Sequence, residues 1–359
     1  MHIPDGYLSP TTCAAAYAVV SPFWVTASRR VKRVVTSRNV PMLAMFAALS
    51  FLVMMFNVPI PDGTTAHAVG AVLIAIVLGP WAAVIAISVA LLIQALLFGD
   101  GGVLAFGANA LNMAVIMTFV GYGFYRLIAG RSPLTSRRRV VAAAIGGYAG
   151  INASALATAI ELGIQPDLFH TAAGVPLYSP YHLSQSVPAL MLAHLTFAGL
   201  AEAILTAGVL VYLQRTDVGR LATSHRKVPM TLGDAPPPLR RRVSPVKVAL
   251  GFIGAMVLLT PLGLLAPGGA FGEATPQNLD LRTLGLQAVP AGLEKYNSFW
   301  SHTLLGGYGF QGGDHRTLAY LLSALVGIAV VGLAILALTA LLARPRGRRA
   351  PDQEPADAP

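Results

Sequence analysis

The first two residues of the chain, Met1 and His2, carry nitrogen atoms that can chelate one metal ion. The α-amine, the backbone nitrogen of His2 and the Nδ1 atom of its imidazole close two fused small rings around an ion. The amide nitrogen must lose its proton to bind, which only a strongly binding divalent ion can enforce. Met1 is expected to persist, because the usual aminopeptidase removes Met only before small residues. Three nitrogens in one plane leave one in-plane position open, and square-planar nitrogen sites select Ni(II) or Cu(II).

A fourth nitrogen is available from His67, which ends the segment PIPDGTTAH (59–67). Pro-Asp-Gly occurs both in this segment and at residues 4–6, and it codes for tight turns. Two such turns on one side of a membrane would bring His2 and His67 together. Taken alone, each histidine is more often a surface or helix-end residue than a ligand. The residues by themselves therefore leave a metal site and ordinary structural roles about equally open.

Four more polar residues lie inside apolar stretches, namely Asn109, Asn112, His194 and Glu202. Ionisable residues at membrane depth are functional hypotheses by default, but polar side chains also hold helices together. We interpret all four chiefly as packing residues. The alternatives are a proton or metal path for His194 and Glu202, and hydrogen-bonded support of His67 for Asn109 and Asn112.

Several acidic and histidine side chains are predicted in loops, where we expect solvated residues rather than ligands. They are Asp62, Asp100, His170, His182, His302 and His315. Cys13 is the single cysteine, which excludes an internal disulfide and Cys-rich zinc or iron–sulfur sites. No lysine follows the glycine spacing of a phosphate-binding loop, so the chain is not expected to hydrolyse ATP by that route.

The composition indicates the elements that must position these groups. Of the 359 residues, 55% are hydrophobic and 11% are charged, and the mean hydropathy is +0.65. A soluble domain carries about 25% charged residues. These values predict an all-α integral membrane protein. They exclude soluble enzymes, nucleic-acid-binding proteins and secreted disulfide scaffolds.

Apolar stretches of about 20 residues are needed to cross a bilayer, and the sequence predicts about nine transmembrane helices. The candidate spans are 11–28, 41–57, 67–79, 80–98, 103–126, 139–163, 187–214, 246–265 and 317–343. The third is short, which requires that its outer end meet a loop or cavity buried in protein. With the N-terminus outside and the C-terminus in the cytoplasm, 22 of the 25 Lys and Arg residues face the cytoplasm, as the positive-inside rule demands.

The predicted spans form two units. Residues 1–215 hold seven spans, and residues 216–247 form a basic, Pro-rich cytoplasmic linker. Residues 248–343 form the second unit. They hold two spans joined by an outer loop at 266–316, which we call the long loop. Residues 344–359 are Pro-rich and acidic, and we expect a disordered tail.

Four stretches carry a resemblance to a known family: MHIPDGYLSP (1–10), GTTAH (63–67), LLIQALLFGDGGVLAFGANALNMAVI (91–116) and HLTFAGLAEAILTAGVLVYL (194–213). They resemble the CbiM/NikM family, the substrate-binding membrane subunits (S components) of energy-coupling-factor importers for cobalt and nickel. The resemblance covers roughly residues 1–215. The second unit, with TPLGLLAPGGAFGE (260–273) and PAGLEKYNSFW (290–300), looks like the NikN/CbiN-like (PDGLE-type) accessory component.

The resemblance implies a metal site made by Met1 through its amine, His2 through its backbone and imidazole nitrogens, and His67 through its ring. It implies a transport subunit of the cell membrane, not an enzyme, whose Ni(II) or Co(II) is cargo rather than cofactor. ATP hydrolysis then falls to partners, a transmembrane coupling subunit (CbiQ/NikQ-like) and ATPase subunits (CbiO/NikO-like). Cobalt as the true substrate, for cobalamin biosynthesis, is one alternative. A secondary metal transporter, a membrane metalloenzyme and a metal sensor are the others.

Overall fold

The computed structural model describes residues 1–34, 40–60, 65–219, 221, 245–265, 269–310, 312–313 and 315–343. The chain is mostly helical, as predicted. Its helices are α1 (Pro10–Val34), α2 (Val40–Met54), α3 (Ala71–Leu78), α4 (Pro80–Phe98), α5 (Phe106–Ala129), α6 (Arg137–Gly163), α7 (Gln165–Leu168), α8 (Leu183–Thr216), α9 (Pro245–Leu259, extended by 3-10 turns at Thr260–Leu265), α10 (Ala291–Tyr296) and α11 (Arg316–Ala343). Two short antiparallel strands, β1 (Val58–Pro59) and β2 (Thr65–Ala66), pair in the loop before α3.

Five helical stretches are long and apolar enough to cross a membrane: Pro80–Phe98, Phe106–Ala129, Arg137–Leu168, Leu183–Thr216 and Arg316–Leu342. Two shorter apolar helices occupy Val40–Met54 and Gly251–Leu265. Within the described part of the chain, these findings bear out a multi-pass membrane protein with fewer qualifying spans than the nine predicted. The predicted first span is a 25-residue helix, α1, that is less apolar than the five.

The third predicted span differs most from expectation, because α3 has only eight residues. At about 1.5 Å per residue it is roughly 12 Å long, well short of a bilayer core. Its residues from Ala71 to Val77 are at most 1% exposed, so protein surrounds this helix. A buried half-helix places the loop that precedes it, with His67, inside the molecule.

Local sequence explains where these helices begin. Pro10 stands at the first position of α1, and the Ser9 hydroxyl accepts the backbone N–H of Thr12 at 3.0 Å. The helices α3 and α4 meet in a tight hairpin at Gly79-Pro80. Gly79 has a φ of +93°, which other residues rarely adopt.

Three of the long helices contain a π-helical segment. These segments are Gln94–Phe98 in α4, Ala110–Ile116 in α5 and His194–Ala198 in α8. Such one-turn widenings are frequent at functional sites. Each one here begins at, or directly after, a buried polar residue: Gln94, Asn109 or His194. The three helices therefore widen where polar side chains enter the interior.

The second unit packs directly on the first. The helix α11 lies against α2, where the ring of Phe51 occupies the space beside Gly327. The Tyr320 hydroxyl donates to the Met55 carbonyl at 2.7 Å. Asp62, most of the predicted linker (222–244) and the predicted tail lie outside the described residues.

Candidate metal centre

The N-terminal segment is folded into the interior instead of extending from it. Met1 is 2% exposed, His2 is 4% exposed, and Ile3, Tyr7 and Leu8 are fully buried. The α-amine, which would ordinarily be solvated, is therefore enclosed by protein. This burial brings the three nitrogen donors predicted from Met1 and His2 into the core.

Backbone and side-chain hydrogen bonds hold this segment in register. Asn109 accepts the backbone N–H of Ile3 at 2.8 Å and donates its own amide to the Ile3 carbonyl at 3.0 Å. The Asp5 carboxylate accepts the backbone N–H groups of Val103 and Ala105, each at 3.0 Å. Burial raises the pKa of Asp5, an effect that these two N–H groups oppose. Asn109 thus supports the terminal segment and not the ring of His67.

The rings of His2 and His67 lie together, as predicted, with centroids 5.1 Å apart and an interplanar angle of 35°. His67 is 4% exposed and lies in the loop between β2 and α3. Its Nδ1 atom is 3.1 Å from the Ala68 carbonyl, which can only accept, so Nδ1 carries the proton. The Nε2 lone pair of His67 is then free. Neither Nε2 atom has a hydrogen-bond partner among the residues that the structure describes.

Electrostatics keep His67 in its neutral form. Burial lowers the pKa of His67 well below its usual range, and the positive charge of the Met1 amine acts in the same direction. A neutral imidazole with an unprotonated Nε2 is the form that binds a metal ion.

Carboxylates contact both ends of the predicted chelate. Glu273 Oε1 lies 3.1 Å from the Met1 amine, and Asp100 Oδ1 lies 3.3 Å from His2 Nδ1. Tyr308 donates its hydroxyl to Asp100 Oδ2 at 2.5 Å, and Gln94 donates to both Tyr308 and Asp100. Glu273 and Tyr308 belong to the second unit. The terminal segment is therefore enclosed by both units of the chain.

Glu202 fixes the loop that carries His67. Its carboxylate accepts the backbone N–H groups of Val69 at 2.8 Å and Gly70 at 2.9 Å, and Ser50 donates to the Val69 carbonyl at 2.6 Å. Glu202 is fully buried. Among the two interpretations of Glu202, these contacts favour a packing role, and the element that it packs is the loop of His67.

His194 and Asn112 occupy other surroundings. His194 is 2% exposed, with Nδ1 donating to the Leu190 carbonyl at 2.7 Å and Nε2 unpartnered within the described residues. Asn112 donates to Glu161 at 2.6 Å and to Thr158 at 3.2 Å. The hydrogen bonds of Asn112 therefore tie α5 to α6 and do not include His67.

The other loop histidines stay apart from the terminal segment. His182 Nδ1 lies 3.3 Å from Asp167 with both side chains more than half exposed, and His170 contacts the Pro166 carbonyl. His302 lies beside the ring of Trp300, and the exposed His315 precedes α11. Within the described residues, no three His, Cys, Asp or Glu side chains form a group that could hold a metal. A metal ion at the candidate centre would therefore need main-chain nitrogens as ligands in addition to the two histidine rings.

Comparison with known proteins identifies the family. Residues 2–218 match the CbiM family, which is described as "Cobalt uptake substrate-specific transmembrane region". The chain belongs to the CbiM family. It is a transport protein rather than an enzyme, in agreement with the names of its relatives.

Two relatives extend this similarity across both units of the CbiM-family chain. A "Fused nickel transport protein NikMN" from Rhodobacter capsulatus is 47% identical over 343 residues, which is 92% of this chain and 95% of the relative. A "Probable fused nickel transport protein LarMN" from Lactiplantibacillus plantarum is 45% identical over 342 residues, covering 93% and 96%. A crystal structure of a truncated transition metal transporter is 58% identical, with a TM-score of 0.56, and covers 59% of this chain and 98% of that chain.

Sequence reasoning alone missed several contacts of the candidate centre. Asp100 was expected in solvent, but its side chain is 19% exposed and contacts His2. Glu273 and Tyr308 were not singled out at all. Asp100 lies in the glycine-rich run GDGG (99–102), and that run was the available signal, since such a run allows close backbone approach. No local pattern distinguishes Glu273 from any other loop carboxylate.

Proposed function

We propose that this chain is the substrate-binding membrane component of an ATP-driven energy-coupling-factor importer, and that it captures Ni(II) through Met1, His2 and His67. Four nitrogens would surround the ion: the amine, the His2 amide and Nδ1, and His67 Nε2. The 5.1 Å approach of the two buried histidine rings, beside a buried terminus, is the observation that supports this assignment.

Capture would exchange existing contacts for metal bonds. His2 Nδ1 leaves Asp100 and gives up the proton that it shares with that carboxylate, and the His2 amide and the Met1 ammonium each release a proton. The His67 ring, already neutral, needs no such change. Metal binding should therefore release protons and weaken in acid.

Nickel is proposed over cobalt on two grounds. A planar set of four nitrogens suits Ni(II), and the two fused relatives are named nickel transport proteins. Cobalt is the alternative, because the family description names cobalt uptake. Titration of the purified chain with each ion tests the assignment. Tighter binding of Co(II) would overturn it, because nitrogen ligands normally bind Ni(II) more tightly than Co(II).

The remaining parts of the proposal concern membrane context and partners. The N-terminus would face the outside of the cell membrane, with residues 1–215 as the metal-binding unit, 216–247 as a cytoplasmic linker and 248–343 as the NikN/CbiN-like unit. Energy would come from a CbiQ/NikQ-like coupling subunit and CbiO/NikO-like ATPase subunits. The sequence supplies no phosphate-binding loop of its own.

Replacing His2 with glutamine tests the proposed centre. His2→Gln removes the imidazole that closes a ring with the amine and the amide, and Met1 is still expected to persist because glutamine is not a small residue. We expect one ion per native chain by equilibrium dialysis and no binding by His2→Gln. The matched control is His302→Gln in the long loop, which should bind normally. Binding that survives in His2→Gln would contradict the site and direct attention to the loop histidines.

A further inference from the structure

The second unit inserts one carboxylate into the candidate centre of the first. Glu273 Oε1 contacts the Met1 amine at 3.1 Å across 272 positions of sequence. The Met1 side chain is fully buried and that of Glu273 is 22% exposed. A buried ammonium without a partner is costly, so this contact has a large influence on where the amine lies.

The residues on either side of Glu273 fix its position. The Phe271 ring packs on Tyr181 with centroids 4.4 Å apart, and the Ala274 carbonyl accepts the Tyr7 hydroxyl at 2.7 Å. Gly272 adopts a φ of +78°, and a Cβ there would lie 2.8 Å from the Leu162 side chain. The backbone can therefore pass close to the first unit only with glycine at 272. Glu273 is held from both sides and cannot drift away from the amine without unpacking this segment.

The chemistry of the amine allows this contact to persist when a metal ion binds. An ammonium uses one N–H to reach the carboxylate. After it loses a proton to coordinate, the amine still has two N–H bonds, and its lone pair is free for the ion. Carboxylates that accept an N–H from a metal ligand orient the ligand and raise its basicity.

Glu273 also lines a cavity. Together with Pro4, Asp100 and Trp300 it borders about 180 Å³ of space between the long loop and the N-terminal segment. Both Glu273 and Asp100, the two carboxylates that contact the predicted chelate, therefore line the same cavity.

From these contacts we infer that Glu273 is a positioning residue for the terminal amine, through which the second unit completes the metal site of the first. This inference rests on the proposed function. The rotation of a chain end is otherwise free, and ordering it in advance reduces the cost of binding. Glu273 would thereby link metal affinity to docking of the long loop.

The test compares Glu273→Gln with Glu294→Gln in the full-length chain. Glu294 lies in α10 of the same loop and is exposed, so its substitution removes the same charge away from the amine. Titration with Ni(II) is expected to show a loss of affinity of roughly 10- to 100-fold for Glu273→Gln. Glu294→Gln should bind as the native chain does.

A second readout reports on the amine itself. Without metal, acylation of the Met1 α-amine, followed by mass spectrometry of the N-terminal peptide, should be faster in Glu273→Gln and unchanged in Glu294→Gln. A structural change elsewhere in the long loop would not selectively raise the acylation rate of the Met1 amine. If Glu273→Gln fails to fold, Glu273→Asp decides. It keeps the charge but shortens the reach, so several-fold weaker binding is expected.

The outcomes separate this inference from the proposed function. Native affinity in Glu273→Gln, or in Glu273→Asp where that variant decides, would overturn the inference. So would an equal loss in Glu273→Gln and Glu294→Gln. If His2→Gln abolishes binding while Glu273→Gln has no effect, only the inference fails. If binding survives in His2→Gln, the proposed function fails first.

Discussion

Asp5 occupies the space that a side chain on Gly102 would need. A Cβ at position 102 would lie 2.0 Å from Asp5 Oδ1 and 2.5 Å from its backbone nitrogen. Gly102 also donates its N–H to the Ile3 carbonyl at 2.8 Å. The N-terminal segment can lie against this loop only while position 102 has no side chain. Burial of Met1 and His2 therefore depends on a residue that supplies no ligand.

Gly102→Ala is expected to expel the N-terminal segment and abolish nickel binding, measured by equilibrium dialysis. The matched control is Gly123→Ala in α5, where no atom lies within 4 Å of the added Cβ. That control should bind nickel normally, with a stability unchanged or raised by about 0.5–1 kcal/mol. Normal nickel binding by Gly102→Ala would show that the N-terminal segment does not need a glycine at position 102 to reach its place.

His67→Ala removes the fourth nitrogen of the proposed centre while leaving the N-terminal chelate atoms in place. We expect affinity for Ni(II) to fall by at least about 100-fold. Loss of a residue that only hydrogen-bonds to a metal ligand lowers metal affinity by roughly 10- to 100-fold, so a larger loss indicates a direct ligand. His302→Ala, in the long loop, is the control and should bind normally. Isothermal titration of both variants decides, and equal affinities would rule out His67 as a ligand.

Glu202→Gln tests whether the loop of His67 needs its carboxylate. Val69 and Gly70 both donate to Oε2, and Gly70 also reaches Oε1 at 3.1 Å. Glutamine replaces one of these two accepting oxygens with an –NH2 group, which would then face the N–H of the loop donor-to-donor. Leaving a buried N–H unsatisfied costs about 1–3 kcal/mol. We expect a lower midpoint of thermal unfolding in detergent together with weaker nickel binding. If stability falls while nickel affinity stays native, the loop does not position His67.

Metal binding itself should stabilise the chain, because the nitrogens of His2 and His67 come together only when the chain is folded. Nickel at 100 times its dissociation constant is expected to add about 2.7 kcal/mol to the free energy of unfolding. The gain should disappear after a chelator is added, and it should shrink in acid, where protons compete for the nitrogen ligands. His2→Gln is the control, and an equal gain in that variant would place the stabilising ion elsewhere.

Properties that depend on composition and on covalent neighbours were predictable from the sequence. The low charge content and long apolar stretches determine a multi-pass helical membrane protein, because a bilayer core admits few other structures. The ability of Met1 and His2 to form a chelate was likewise predictable, since covalent bonds join the amine, the amide and the imidazole that form its rings. The length of α3 was not predictable in the same way. A buried half-helix and a short crossing have the same apolar composition.

Only the tertiary structure decided which distant groups meet the N-terminus. Hydropathy indicates where helices lie but not which faces pack together, so it could not place His67 5.1 Å from His2 or Asn109 against Ile3. The sequence predicts that Asp100 is a solvated turn residue, because the sequence does not show that the second unit packs over this side chain. Glu273 contacts the amine across 272 positions because two separately encoded units dock, and docking depends on the shapes of whole surfaces.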